Sequence, residues 1–214
     1  MTKSILNRLA NFQDRRDEAP NVELAQELAA AALAGHTAGI REIAQNLWNE
    51  NAGVQADCIK VLYEIGARDP RLIAGYSADF LKLLGSANNR LVWGGMTALA
   101  ATAEVSAAEL FQHWQTIRDA IETGSVITAD QGILALARLA ATDPARRRAI
   151  FPYLLRHLAD CRPKDVPQRA EKIAAAVDAA QRAAFVAALE QRRGELSNAQ
   201  AARVNKVIKE QARK

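Results

Sequence analysis

Apolar residues recur every 37 positions along most of this chain, and this period constrains the fold more than any other feature of the sequence. Two rows that are out of phase with each other consist of Leu62, Leu99, Leu136 and Ile173, and of Ile43, Phe80, Ile117 and Leu154. A fixed period of roughly 20–50 residues is typical of stacked repeats. The period therefore predicts an array that grows one unit at a time and has no single central core.

Each 37-residue unit is predicted to contain two helices. Residues 53–67 carry apolar side chains at helical spacing, and Pro70 then interrupts the pattern. Proline ends one helix and is tolerated at the start of the next, so the second helix is predicted to run from Pro70 to about Leu84. At the corresponding turns of other units, Thr37 and Ser106 are the predicted N-caps.

The two ends of the chain depart from the period. Residues 5–12 predict a short amphipathic helix, with an apolar side formed by Ile5, Leu6, Leu9 and Phe12. Near the other end, Phe185 and Leu189 mark a helix displaced toward the N-terminus, and a mostly polar helix is predicted from Ser197 to Ala212. Polar, irregular ends cover the exposed core of an array. We therefore expect an N-terminal cap (1–20), repeats (21–178) and a C-terminal cap (179–214), all in one continuous domain.

Composition agrees with an all-helical protein that has no membrane anchor. Half of the residues are hydrophobic, only 5% are aromatic, and alanine, the best helix former, is abundant. No apolar run approaches the roughly 18 residues of a membrane span, and the first 20 residues lack the apolar region of a signal peptide. Cys58 and Cys161 have no spacing suited to a disulfide framework or a zinc site. A cytoplasmic location is the expectation.

One unit carries a resemblance to a known family in three stretches: Val54 with Cys58 to Leu62, Ile65 to Pro70, and Phe80 to Leu84. A first helix rich in alanine and leucine, an Asp-Pro turn and a leucine-rich second helix are similar to the HEAT repeat and the related armadillo repeat. The resemblance covers about residues 21–178. It implies an all-α, right-handed α-solenoid of about five two-helix repeats, with capping helices at both ends and with second helices lining the concave surface. Tetratricopeptide repeats are disfavoured because their period is about 34.

A polar row within the second helices supplies the candidate binding residues. Its members, at successive 37-residue steps, are Gln45, Lys82, Asp119 and Arg156. Stacking would place Lys82 near Asp119, and Asp119 near Arg156. One interpretation is a ladder of ion pairs that fixes the register of the repeats, and the other is direct contact with a partner. The predicted partner-binding residues are Lys82, Gln115, Arg118, Asp119 and Arg156.

Glycine and tryptophan positions add two further expectations. Gly95 and Gly132 lie 37 residues apart inside predicted helices, where glycine costs about 1 kcal/mol relative to alanine. Close packing between helices of neighbouring repeats would compensate for that cost. Trp48 at a helix end and Trp93 near a helix start are expected to be partly exposed, and Trp114 is expected to pack.

The charge distribution leaves two kinds of partner open. Residues 1–137 hold 11 basic and 16 acidic side chains (−5), whereas residues 138–214 hold 17 and 8 (+9). Basic residues such as Arg146 to Arg148 could follow a phosphate backbone, so nucleic-acid binding is the alternative to protein binding. The solvated face of a helix is the simpler interpretation of this charge.

Catalysis has little support in the sequence. It contains no H-E-x-x-H, G-x-S-x-G or phosphate-binding glycine motif, and its three histidines share no spacing suited to a metal or a triad. Trp114 and Asp119 resemble the Trp and Asp that HEAT-like DNA glycosylases place around a damaged nucleotide, but only one such neighbourhood occurs. We therefore predict a non-enzymatic protein-interaction scaffold without metal or cofactor. The sequence does not identify its partner.

Overall fold

The computed structural model describes residues 4–13 and 17–213, and every regular element in these residues is helical. The chain divides into two compact units, an N-terminal unit (residues 1–132) and a C-terminal unit (residues 133–214). Lys214, the last residue of the basic tail, lies outside the described residues. None of the helices in the described ranges combines the length and apolarity that a membrane span requires.

The helices of the N-terminal unit alternate between long first helices and interrupted second helices. The first helices are α1 (Ala19–Leu33), α3 (Ala52–Arg68), α5 (Asn89–Thr102) and α8 (Val126–Ala141), the last of which continues into the C-terminal unit. The second helices are α2 (Ala38–Gln45), α4 (Ser77–Leu83), and the pair α6 (Ala107–Gln112) and α7 (Trp114–Thr123). Leu62, Leu99 and Leu136 are fully buried at equivalent positions of α3, α5 and α8, which confirms the predicted repeat register.

The second helices are less regular than predicted. Two short 3-10 turns, Pro70–Leu72 and Ala74–Tyr76, precede α4, so the helix predicted from Pro70 to Leu84 is wrong in its first half. Ile73, between these turns, is fully buried, and the bend that places its side chain in the core interrupts the helix. Tertiary packing therefore overrides a helical pattern at this position.

The two predicted caps do not use their side chains as caps. Neither Thr37 nor Ser106 accepts a hydrogen bond from the start of the following helix. The Ser77 hydroxyl instead donates to the Ser106 hydroxyl over 3.0 Å, and both residues are buried. Asn51 and Asn88 are the side-chain caps of the first helices α3 and α5. Asn51 accepts from the N–H groups of Gly53 and Val54, and Asn88 accepts from that of Arg90.

Glycines on the first helices allow close contact with the preceding second helix, as predicted. A Cβ atom on Gly95 of α5 would lie 3.0 Å from both the Leu83 Cβ and the Phe80 carbonyl oxygen of α4. One period later, a Cβ atom on Gly132 of α8 would lie 2.8 Å from the Ile121 Cδ1 of α7. These distances are shorter than the roughly 3.5–4.0 Å of a normal carbon–carbon contact.

The N-terminal segment forms two 3-10 turns, Ile5–Arg8 and Ala10–Phe12, rather than the predicted amphipathic helix. Leu9 is fully buried, whereas Phe12 is 51% exposed. The buried side chains of Asn21 and Asp57 hold this segment, because they accept hydrogen bonds from the N–H groups of Ala10 (3.0 Å) and Asn11 (2.7 Å). So short a segment is only marginally stable as an isolated helix, and buried polar contacts fix it in another conformation.

The C-terminal unit contains α9 (Pro144–Asp160), α10 (Val166–Ile173), α11 (Ala179–Arg192) and α12 (Asn198–Gln211). Phe185 and Leu189 are buried on α11, and Ser197 caps α12 in a reciprocal capping box with Gln200. The predicted displaced helix and the predicted final helix are both confirmed. At the end of α9, the Arg192 guanidinium donates to the carbonyl oxygens of Leu158 (2.9 Å) and Cys161 (2.7 Å), which a helix end would otherwise leave unsatisfied.

Candidate binding surfaces

An exposed tryptophan joins two successive second helices of the N-terminal unit. Trp48 ends the 3-10 turn that follows α2, and 43% of its surface is exposed. Its Nε1 donates to the Asp79 Oδ1 of α4 over 3.2 Å, and the Lys82 Nζ lies 4.1 Å from the centroid of its ring. We call Trp48, Asp79 and Lys82 the tryptophan cluster. It offers an aromatic face, a cation and a carboxylate on one surface.

The other predicted residues of this unit lie on α7. The Arg118 guanidinium lies 5.8 Å from the Trp114 ring centroid, and its Nε and Nη2 donate to the Asp119 Oδ1 over 2.9 and 2.7 Å. Gln115 and Asp119 are exposed, whereas Trp114 is half-buried, in agreement with its predicted packing. Arg118 thus bridges an aromatic ring and a carboxylate on one helix.

The predicted ion pair between Lys82 and Asp119 does not form in the described part of the chain. Lys82 contacts Trp48 of the preceding repeat, and Asp119 pairs with its neighbour Arg118. Arg156 belongs to the C-terminal unit, where its guanidinium lies 5.4 Å from the Tyr153 ring centroid. The row therefore places these residues on second helices, but their side chains contact an aromatic ring or an opposite charge outside the row.

A charged network that links successive repeats lies on the first helices and was not predicted. The Lys60 ammonium on α3 is 2.7 Å from the Glu64 carboxylate and 3.4 Å from that of Glu18, and Glu18 also pairs with Arg90 of α5. Burial of Lys60 opposes its charge, but the hydrogen bond to Glu64 and the contact with Tyr63 outweigh burial and raise its pKa. We call these residues the first-helix cluster. Only the Lys60–Glu64 pair, at i,i+4 spacing, could have been found in the sequence.

The first-helix cluster also contains two aromatic rings. Tyr63 and Trp93 have centroids 5.9 Å apart with their planes tilted by 50°, and the Lys60 Nζ lies 4.8 Å from the Tyr63 centroid. Trp93 is half-buried, as expected. The side chains on this surface therefore contact one another across α3 and α5.

Most acidic side chains of the C-terminal unit are engaged by arginine. Arg147 pairs with Asp178 (2.6 Å) and Arg203 with Glu171 (2.7 Å), and further pairs are Arg162 with Asp165, Arg192 with Glu195, and Arg193 with Glu190. Exposed cations that form no ion pair within the described residues are Arg148, Arg156, Lys164, Lys209 and Arg213. The excess positive charge of this unit is thus spread over several elements.

A groove of about 480 Å³ lies between α9 and α11 on the surface of the C-terminal unit. Its lining residues are Pro152, Leu155, Arg156, Ala159, Ala184, Ala187, Ala188 and Gln191. All of them except Arg156 and Gln191 are apolar, and most are small. The groove therefore offers a shallow apolar floor with a guanidinium and an amide beside it.

The thiols have the properties of packing residues. Burial raises the pKa of the Cys58 thiol to about 12, so it is protonated and a poor nucleophile at neutral pH. Cys161 is half-buried, and its Sγ donates to the Leu158 carbonyl oxygen over 3.4 Å. Within the described ranges, His, Cys, Asp and Glu form no group of three or more that could hold a metal ion.

The helical pairs, the 37-residue register and the glycine contacts define the class of protein: this is an all-α solenoid of HEAT/armadillo-like repeats. No family model matches the sequence, and no curated protein matches it either. Comparison with solved structures finds proteins of similar fold. A designed armadillo repeat protein, YIII(Dq)4CqI, aligns with a TM-score of 0.68 at 14% identity, over 92% of this chain and 95% of that one.

Two further solved structures give the same result. A second designed armadillo repeat protein, YIII(Dq.V1)4CPAF in complex with the peptide (KR)4, aligns with a TM-score of 0.70 at 13% identity, over 95% of this chain and 98% of that one. An engineered protein from the Northeast Structural Genomics Consortium has a TM-score of 0.69 at 17% identity, covering 98% of this chain and 95% of its own. At these identities the likeness establishes the fold and not the ligand.

Proposed function

We propose that this protein is a non-enzymatic scaffold that binds a protein partner through its second helices. The observation that carries the proposal is the tryptophan cluster, in which Trp48 remains 43% exposed beside Lys82 and Asp79. Tryptophan and arginine are the residues most enriched at the energetic centres of protein interfaces. Lys82, Gln115, Arg118, Asp119 and Arg156 are the proposed contact residues.

The contacts already made by the side chains favour the second helices over the first helices as the binding surface. In the first-helix cluster, Lys60 and Glu18 are each held by two groups of the protein itself, so a partner would have to break existing ion pairs. On the second helices, Gln115 is exposed, Asp119 is exposed and pairs only with its neighbour Arg118, and the contact between Lys82 and Trp48 is a single cation–π interaction. Such an interaction contributes only about 0.5–1 kcal/mol at an exposed site. A partner can therefore replace it at small cost.

The designed armadillo repeat protein in complex with the peptide (KR)4 supports a protein partner, because a scaffold of similar fold binds a peptide in that structure. The peptide (KR)4 is a ligand of that designed protein. For the present chain we propose a partner protein and a cytoplasmic location.

Nucleic-acid binding is the alternative, and the ion pairs of the C-terminal unit weigh against it. Arg147, Arg192 and Arg203 hold carboxylates or carbonyl oxygens within the unit, so they are not free to follow a phosphate backbone. A DNA glycosylase has less support still, since Arg118 neutralises Asp119 and lies beside the ring of Trp114.

Site-specific photo-crosslinking in the native host tests the proposal. A photoreactive amino acid is placed at Gln115 on the second-helix surface and, as the control, at Ala67, an exposed position on the first helix α3. We expect a discrete protein adduct from Gln115 and none from Ala67, and we expect Trp48→Ala to reduce that adduct. Adducts from Ala67 alone would contradict the proposal and indicate that the partner binds the first helices. An adduct removed by nuclease would favour nucleic acid.

A further inference from the structure

The groove between α9 and α11 has a regular arrangement that follows from helix geometry. On α9, Pro152, Arg156 and Ala159 lie on one stripe, because residues four and three apart share a helix face. On α11, Ala184, Ala188 and Gln191 repeat the same spacing. The two stripes form opposite walls of the groove.

The chemistry of the walls favours a helical ligand with an apolar side. Alanine on α11 leaves room for the backbone of another helix to approach closely, while Leu155 and Pro152 supply apolar area opposite it. Pro152 has no N–H group to donate to the carbonyl oxygen of Arg148, which leaves an acceptor on this part of α9. An amphipathic helix lying in an apolar groove is a common mode of peptide recognition.

The positive charge beside the groove favours a negatively charged ligand. Arg156 lines the groove, and Arg148 lies one turn before the lining residue Pro152 on the same side of α9. Both arginines are exposed, and neither forms an ion pair within the described residues. They are eight residues apart, which corresponds to about 12 Å along the helix axis. The C-terminal unit holds 17 basic and 8 acidic side chains, so its field is positive as well.

We propose that the α9–α11 groove docks an acidic amphipathic helix of the partner protein, with its apolar side on Ala184 and Leu155 and its carboxylates on Arg148 and Arg156. Two carboxylates about 12 Å apart, at i and i+8 of the ligand helix, match the two guanidinium groups. This inference rests on the proposed function, because it names the chemical class of partner for that surface.

The test uses the full chain and a fluorescent, helix-forming peptide of about 16 residues with leucine and alanine on one side and glutamates at i and i+8. One control peptide replaces the glutamates with lysines, and another scrambles the sequence. The protein variants are Arg156→Glu, and Ala184→Trp, which fills the groove. Lys209→Glu is the matched control, since Lys209 is an exposed, unpaired cation on α12 of the same unit and its reversal changes the net charge equally. Circular dichroism melting verifies that each variant folds.

We expect anisotropy to report saturable binding of the acidic peptide, weakened at least about tenfold by Arg156→Glu or Ala184→Trp and less than about twofold by Lys209→Glu. The groove proposal is overturned by equal binding of the lysine peptide, by equal effects of Arg156→Glu and Lys209→Glu, or by no binding at about 1 mM. Competition by duplex DNA that Arg156→Glu abolishes would assign the surface to nucleic acid instead. Self-association lost in Ala184→Trp would assign it to a second copy of the chain.

Trp48→Ala separates this inference from the proposed function. The substitution lies in the N-terminal unit and is expected to leave peptide binding unchanged while it reduces the crosslinked partner. If Trp48→Ala reduces the crosslink but the acidic peptide does not bind, the groove proposal is wrong and the scaffold proposal stands. If the peptide binds but no second-helix variant affects the crosslink, the proposed scaffold surface is wrong and the groove proposal stands.

Discussion

Replacement of Gly132 by alanine separates helix propensity from helix packing in this fold. In an unpacked helix the change stabilises by about 1 kcal/mol. Here the added Cβ would lie 2.8 Å from the Ile121 Cδ1, closer still to the Ile121 Cγ1, and 3.3 Å from the Met96 Cε. Cγ1 is not the free end of a side chain, so either Ile121 leaves its rotamer or α7 and α8 move apart. Overpacking of this kind costs about 1–3 kcal/mol.

The expected net effect of Gly132→Ala is a loss of up to about 2 kcal/mol in the free energy of unfolding, because an overpacking cost of about 1–3 kcal/mol is only partly offset by the propensity gain of about 1 kcal/mol. Urea titration monitored by tryptophan fluorescence measures this change in the N-terminal unit. All three tryptophans, at positions 48, 93 and 114, lie in the N-terminal unit that contains Gly132.

Two comparisons make the reasoning refutable. Gly75→Ala, in the same unit, adds a Cβ with no heavy atom within 4 Å and is expected to be neutral or stabilising by up to about 1 kcal/mol. In an Ile121→Ala background the clashing atoms of Ile121 are gone, so Gly132→Ala should stabilise by up to about 1 kcal/mol, which corresponds to a coupling energy of about 1–3 kcal/mol. If Gly132→Ala stabilises the original protein as much as Gly75→Ala does, close packing is not the reason for glycine at this position.

Four other outcomes follow from the same structure. Leu99→Ala, at a fully buried site, is expected to cost about 2–5 kcal/mol in urea unfolding, and a cost below about 1 would contradict the repeat register. Arg192→Ala should destabilise the C-terminal unit by about 1–3 kcal/mol through unsatisfied carbonyl oxygens of α9, and Arg192→Lys should restore only part of this, as circular dichroism can measure. With a thiol reagent at pH 8, Cys161 should react before Cys58, because burial raises the pKa of Cys58 to about 12; fast labelling of Cys58 would contradict its burial. In gel shifts at about 0.15 M salt, micromolar protein should not retain duplex DNA, and a salt-sensitive shift that Arg148→Ala weakens would favour the nucleic-acid alternative.

Much of the fold was predictable because its determinants are local or periodic. The helix predicted over residues 53–67 and the observed α3 (Ala52–Arg68) agree within one residue at each end. Val54 begins the apolar stripe of this helix, and Pro70 lies two residues beyond the end of α3. The interruption at Ile73 could not be predicted. Gly75 weakens a helix in this segment by about 1 kcal/mol but does not fix where it breaks. The burial of Ile73 depends on residues of other elements, which the segment's own sequence does not show.

The candidate site was predictable at the level of helices and not at the level of contacts. The 37-residue row correctly placed Lys82 and Asp119 on second helices, but stacking alone suggested that they would pair. A long side chain can contact any group within its reach, and Lys82 contacts Trp48, a residue outside the row. The pair formed by Glu18 and Arg90 joins residues 72 apart, a separation that is not a multiple of the period, so periodicity carries no signal for it.

The apolar and polar rows differ in how strongly stacking constrains them. Leu62, Leu99 and Leu136 keep the same residue at every step, because each repeat must bury an equivalent apolar surface against its neighbour. At the polar row the residue changes from Lys82 to Asp119 from one repeat to the next, although the backbone position is equivalent. Stacking imposes no single choice on an exposed position, so these differences are free to fit a ligand that does not repeat. A surface in which charge changes sign along the row therefore favours a defined protein sequence over a uniform polyanion such as nucleic acid.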